Sequence, residues 1–120
     1  MDSPRAVTDL EYKISVPTEL IGYFFIQRTL PLTKYVGYVE ICKDTHRKVI
    51  NIRLVLLDSN CQKISYTHSI GIEEYRIVRK FPKLFRHTLI LLEDSIIKYT
   101  TEHQISLYPV CEEETCQVKL

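Results

Sequence analysis

The sequence predicts one mainly β domain, and three observations lead to this prediction. The 120 residues suffice for a single core, and 45% hydrophobic and 26% charged residues are ordinary values for a globular chain. Apolar and polar residues alternate through three segments between residues 34 and 69, which is the period of half-buried strands. Polar, turn-forming residues separate these segments. We therefore expect an antiparallel meander at the centre of the fold.

The three segments are predicted to be consecutive strands. Residues 34–43, KYVGYVEICK, alternate around a glycine that marks a bend, and the polar turn 44–48 follows. Residues 49–57, VINIRLVLL, place four aliphatic residues on one face, with an asparagine and an arginine on the other. The turn 58–60 leads into residues 61–69, which alternate in the same way.

A helix and two more strands are predicted after the meander. Residues 71–80 have apolar residues at helical spacing, with acids early and bases late, and Phe81-Pro82 ends the helix. Thr88–Tyr99 and His103–Val110 read as a fourth and a fifth strand. The order β-β-β-α-β-β is that of the OB-fold, a five-stranded Greek-key barrel with a helix between strands 3 and 4. PH-like and SH3-like barrels are the alternatives.

The predicted domain organisation has three parts. Residues 34–110 form the OB-fold domain, residues 1–33 an N-terminal extension that packs on the barrel, and residues 111–120 a polar C-terminal tail. Within the extension, residues 16–27 fit either a short helix or a strand.

Composition and motifs exclude several functional classes. The net charge is +1, so binding to nucleic acid requires a local basic patch. The four cysteines form no CxxC pair, so we expect free thiols and neither a metal nor a cofactor. A metal clip formed by Cys111, Cys116 and His103 is disfavoured, because zinc requires four well-spaced ligands. No histidine has a nucleophile or carboxylate at a catalytic spacing, so we expect no enzyme. With no apolar membrane span or signal core, we expect an intracellular protein.

A loose motif extends from the end of the predicted helix into the last two strands. Its parts are Phe81-Pro82-Lys83-Leu84, Leu89-Ile90, Ile97-Lys98-Tyr99 and Gln104-Ile105, with Tyr38-Val39 and VINIRLVLLD upstream. This pattern, over about residues 34–110, resembles the single-stranded telomeric DNA-binding OB domains of the telomere end-binding and protection-of-telomeres family. The family's Gly-Asp is His87-Thr88 in this chain. The resemblance implies a nuclear protein that binds the single-stranded overhang at chromosome ends.

An OB barrel binds single strands across strands 2 and 3 and between two loops, using aromatic side chains for bases and cations for phosphates. The residues predicted to do this are Tyr38, Lys43, His46, Arg47, Lys48, Arg53, Lys63, Thr67, Tyr99 and His103. Tyrosines and lysines are also common on any outward sheet face. We interpret the basic run Arg76–Arg86 as the solvated face and C-terminal end of a helix, where cations are favoured.

Two functions are compatible with these patterns. The first is a non-enzymatic single-stranded nucleic-acid-binding module, which the aromatic and basic loops favour. The alternative is an OB-type protein-interaction subunit of a telomere or genome-maintenance complex, which docks a partner through Tyr23–Ile26 or the Val36 and Val55 faces. The near-neutral net charge and the acidic pair Glu93-Asp94 favour the alternative. The choice between DNA and RNA is open.

Overall fold

The computed structural model describes residues 18–110, and its centre is a four-stranded antiparallel sheet. The strands are β1 (Thr18–Phe25), β2 (Gly37–Asp44), β3 (Val49–Leu57) and β4 (Lys63–Gly71). They lie in chain order, β1-β2-β3-β4, so each strand pairs with its sequence neighbours. Because β1 and β4 are the two edges and do not pair in this part of the chain, the sheet is open.

Two helices follow the sheet. They are α1 (Ile72–Lys80) and α2 (Pro82–Glu102), and Phe81 between them is extended, with φ −119° and ψ 97°. A residue before proline disfavours the helical region, and proline suits the first position of a helix, so Phe81-Pro82 ends one helix and begins the next. The chain that follows α2 forms two isolated β-bridges. Pro109 pairs with Tyr35, just before β2, and Leu107 pairs with Asp58, just after β3.

The hydrophobic core lies between the sheet and α2. Register places Val39 opposite Leu54 and Ile41 opposite Ile52, and these side chains face the helices. From α2 the buried residues are Leu89, Leu92, Ile96 and Thr100, spaced three or four apart on one helical face. Each large aliphatic side chain buried in this way contributes about 1.5–3 kcal/mol.

Gly37 begins β2 close to the backbone of β3. A Cβ at this position would lie 2.1 Å from the carbonyl oxygen of Val55 and 2.7 Å from a methyl group of Leu56. Only glycine allows the two backbones to approach this closely. The break that the sequence predicts here is therefore a close backbone contact.

The structure confirms the first half of the predicted order and corrects the second. The three-strand meander and the helix after it are present, and residues left open between helix and strand form β1. The predicted strand Thr88–Tyr99 is wrong, because these residues lie within α2, and His103–Val110 makes only isolated bridges. Over residues 18–110 the fold is mainly β with four strands, and the closed five-stranded OB barrel is not confirmed.

The structure bears on one of the predicted domain boundaries, the one between the N-terminal extension and the domain. The extension assigned to residues 1–33 contains β1, an integral strand of the sheet. Residues 1–17 and the tail 111–120, with Cys111 and Cys116, lie outside the described residues. Between residues 18 and 110, no helix is long and apolar enough to cross a membrane, and no cluster of His, Cys, Asp and Glu is arranged for a metal ion.

Candidate nucleic-acid interface

Strand register sorts the side chains onto two faces of the sheet. Cross-strand partners share a face, and residues two apart along a strand share it too. Glu40 pairs with Arg53, and Arg53 with Thr67, on the face opposite the helices. We call this face, which also carries Tyr23, Phe25, Tyr38, Val55 and Lys63, the polar face, and the helix-packed side the apolar face. Four predicted site residues, Tyr38, Arg53, Lys63 and Thr67, therefore do lie on one face.

An ion pair occupies the centre of the polar face. Nη1 of Arg53 lies 2.5 Å from Oε1 of Glu40, and the two residues are 0% and 4% exposed. The alternation of residues 49–57 predicts that Arg53 points outward, where it would contact phosphates. The structure instead buries it against a carboxylate on the neighbouring strand, so Arg53 belongs to the interior. A buried guanidinium of this kind requires a charged partner because desolvation is otherwise costly.

Exposed aromatic rings lie beside this pair, on the edge strand. Tyr23 and Phe25 are 55% and 71% exposed, and the ring of Tyr23 lies 5.0 Å from that of the buried Tyr38. The ammonium group of Lys63 lies 5.7 Å from the centre of the Tyr38 ring, within cation–π range. We call Tyr23, Phe25, Tyr38 and Lys63 the aromatic strip. Two exposed rings with a cation near them are suited to base stacking and phosphate contact.

Tyr23 and Phe25 are not among the residues predicted to bind nucleic acid, and the sequence places them, within Tyr23–Ile26, only in the surface that would dock a protein partner. The sequence feature that could identify them is their spacing of two residues. In a strand over residues 18–25, this spacing puts both rings on one face. Because residues 16–27 fit a helix as well as a strand, the spacing alone does not assign the two rings to a common face. Tyr38 lies on the polar face as predicted, but it is buried, whereas Tyr23 and Phe25 are exposed.

The basic β2–β3 turn is held by one aspartate. The carboxylate of Asp44 accepts hydrogen bonds from the backbone N–H groups of His46 and Arg47, at 2.9 and 3.1 Å, and Nε of Arg47 lies 3.2 Å from it. These backbone hydrogen bonds, helped by Arg47, hold the pKa of Asp44 below its usual value. Lys48 adopts a left-handed φ of 56°, and its side chain is exposed like those of His46 and Arg47.

This turn does not adjoin the aromatic strip. Asp44 pairs with Thr18 at one end of β1, whereas Tyr38 pairs with Phe25 at the other end. Lys43 pairs with Glu19 and Ile50 and lies on the apolar side. A polyanion would have to run along the strands to contact both the turn and the strip.

Tyr99 and His103 form a third group, at the end of α2. Their rings stack with centroids 4.2 Å apart, and Tyr99 also contacts Tyr66 of β4 at 6.5 Å. Burial raises the pKa of Tyr66, with smaller effects of the same sign from Tyr99 and Glu102. Because Tyr66 pairs with Leu54 on the apolar face, this group is separated from the strip by the sheet. The ten predicted site residues thus occupy separate regions.

The segments that carry the telomeric resemblance lie mostly in α2. Leu89-Ile90 and Ile97-Lys98-Tyr99 are helical, so the strand that they mark in the family has no counterpart at these positions. Comparisons of the chain with protein-family models, with curated proteins and with solved structures find no match.

Proposed function

We propose that the protein is a single-stranded nucleic-acid-binding module that stacks bases on the aromatic strip. The observation that carries the proposal is the pair of exposed rings, Tyr23 and Phe25, on one face of an edge strand. Residues two apart on a strand are separated by about 7 Å, about twice the 3.4 Å rise of a stacked strand. An unstacked single strand could therefore set one base on each ring.

The charges around the strip support the proposal for a single strand. Lys63 is close enough to neutralise a phosphate beside the rings, and the β2–β3 turn offers further cations at the other end of the sheet. With a net charge of +1, attraction must come from these local groups, and affinity should fall with salt. Following the resemblance above, telomeric overhang DNA in the nucleus is the first target to examine.

The test is fluorescence anisotropy of the full chain with labelled G-rich telomere-like strands, scrambled strands and duplexes at two salt concentrations. Tyr23→Ala and Phe25→Ala should each weaken single-strand binding by about 1–3 kcal/mol, the value of one stacked base. Phe81→Ala is a matched control, because Phe81 is an aromatic residue with the same 55% exposure as Tyr23 and lies between the helices. Equal losses in all three variants would contradict a role for the strip.

A second candidate function is protein interaction through β1. This edge strand exposes Leu20 and Ile21 as well as the two aromatic rings, and an exposed apolar edge can pair with a strand of another protein. The same titrations separate the candidates. No binding of any strand at low salt, where electrostatic attraction is strongest, would overturn the nucleic-acid proposal and favour a protein partner at this edge.

A further inference from the structure

A cavity of about 570 Å³ lies on the helix side of the sheet, away from the aromatic strip. It opens to solvent and is bordered by the end of β1, the 3₁₀ turn Ile26–Arg28, α1 and the start of α2. Its volume falls within the range of about 300–1,000 Å³ that is typical of small-molecule sites. The side chains that give it chemical character are Arg28, Arg79, Arg86, Phe24, Tyr75 and Phe85.

Among residues 18–110 the cavity collects positive charge without a balancing acid. In this range neither an aspartate nor a glutamate lines it, and none of its three arginines forms an ion pair. Arg86 makes one hydrogen bond in this part of the chain, from Nε to the carbonyl oxygen of Thr29 at 3.2 Å. Three guanidinium groups around one space repel one another unless an anion lies between them.

Helix-end effects account for only part of this cluster. Arg79 is in the last turn of α1, where a cation is favoured by the helix dipole. The basic residues that follow lie instead at the start of a second helix: Lys83 is in the first turn of α2, Arg86 comes directly after, and no acid occurs in that turn. Cations near this positive end are disfavoured. The interpretation of residues 76–86 as the end of a single helix therefore fails for its second half.

We infer that this cavity binds a phosphorylated nucleoside, with the phosphate among Arg28, Arg79 and Arg86. Guanidinium groups bind phosphate oxygens in pairs of parallel hydrogen bonds, which makes arginine the preferred residue for this group. The aromatic side chains that line the cavity, Phe24, Tyr75 and Phe85, form an aromatic wall that supplies contacts for a planar base. The rings of Phe24 and Phe85, which both line the cavity, lie 6.0 Å apart.

Tyr75 adds a hydrogen-bond donor to the wall of the cavity. Burial raises the pKa of Tyr75, while Arg79 acts in the opposite direction, so the hydroxyl remains protonated at neutral pH. A protonated phenol can donate to a phosphate or to a base edge. The inference goes beyond the proposed function, because this cavity and the aromatic strip lie on different sides of the sheet.

The first experiment is isothermal titration calorimetry of the full chain with inorganic phosphate, AMP and ATP. Arg79→Gln and Arg86→Gln should each weaken nucleotide binding by about 10- to 150-fold, the range for hydrogen bonds to charged groups. Arg76→Gln is the matched control, because Arg76 lies on α1 but pairs with Glu73 in solvent. It should change affinity by less than about twofold. Thermal melts of each variant check that the fold is intact.

A second experiment distinguishes the two sources of a nucleotide phosphate. Oligonucleotides with a 5′-phosphate are compared with the same strands bearing a 5′-hydroxyl. A preference for the phosphorylated end that Arg86→Gln removes assigns the cavity to a strand terminus, whereas equal binding of both ends together with tight binding of AMP or ATP assigns it to free nucleotide. Tyr23→Ala should leave both results unchanged, so failure of the strip and failure of the cavity are separable.

Two results would overturn the inference. One is the absence of binding heat with phosphate, AMP and ATP at low salt, together with no effect of the 5′-phosphate. The other is nucleotide binding that Arg79→Gln and Arg86→Gln leave intact, which would place the ligand elsewhere. Tyr75→Leu refines a positive result: it should weaken AMP more than inorganic phosphate, because only AMP carries a base to contact the aromatic wall.

Discussion

The centre of each face of the sheet is buried, but the side chains buried there are aliphatic on one face and charged on the other. On the apolar face, Ile41 and Ile52 pair across β2 and β3 beneath α2. One residue away on the same strands, Glu40 and Arg53 pair on the polar face with almost no exposure. Burial alone therefore does not distinguish a core from a site, and the groups able to bind a ligand lie at the margins of this sheet. Tyr23 and Phe25 are on its edge strand, and the arginine-lined cavity is beside it.

The largest effect is expected on the polar face. Arg53→Met removes the guanidinium that pairs with the buried carboxylate of Glu40, which should cost about 3–5 kcal/mol of unfolding free energy. Urea denaturation monitored by circular dichroism measures this loss. The double variant Glu40→Leu/Arg53→Met should recover much of it, since neither charge of this pair then remains buried. If Arg53→Met cost less than about 1 kcal/mol, as exposed pairs do, the pair would not be desolvated in solution.

The apolar face should respond to truncation in a more graded way. Ile52 is fully buried, and Ile52→Ala should lose about 2–5 kcal/mol through lost transfer energy and the cavity left behind. Ile77→Ala on α1 is the control, because Ile77 is 55% exposed and alanine is a better helix former. The same denaturation series compares both variants with the wild type. Equal effects at positions 52 and 77 would contradict the assignment of the core to the space beneath α2.

The sequence predicted the three strands whose alternation of apolar and polar residues matches their two faces in the structure. Alternation identified β2, β3 and β4, and it also assigned Tyr38 and Arg53 to the face opposite the aliphatic stripe. Their burial was not predictable in this way, because burial depends on what packs over a face and not on the direction of the side chain. The alternation gives the direction of a side chain but does not say what covers it.

The sequence failed where a short apolar run had two interpretations. Thr88–Leu92 is continuous and contains β-branched residues, which suits a buried strand as well as a buried helix. The deciding information was the longer spacing Leu89, Leu92, Ile96 and Thr100, which is helical over several turns. The cavity was not predictable from local pattern either, because Arg28 is far in the sequence from Arg79 and Arg86 and meets them only through tertiary packing.

The smallest effect is expected at Asp44, the outermost acid of the polar face, and it is a dependence on pH. Its pKa is lowered in the folded protein, so its stabilising contribution is present above the unfolded value of about 4 and is lost as pH falls through the folded value. Asp44→Asn keeps an oxygen acceptor for the backbone N–H groups of His46 and Arg47 but removes the charge. The wild type should therefore be more stable than this variant at pH 7, and the difference should shrink towards pH 3. Thermal melts of both proteins across this range measure it. A difference that stays constant with pH would mean that the hydrogen bonds to the β2–β3 turn, and not the charge of the carboxylate, hold this end of the polar face together.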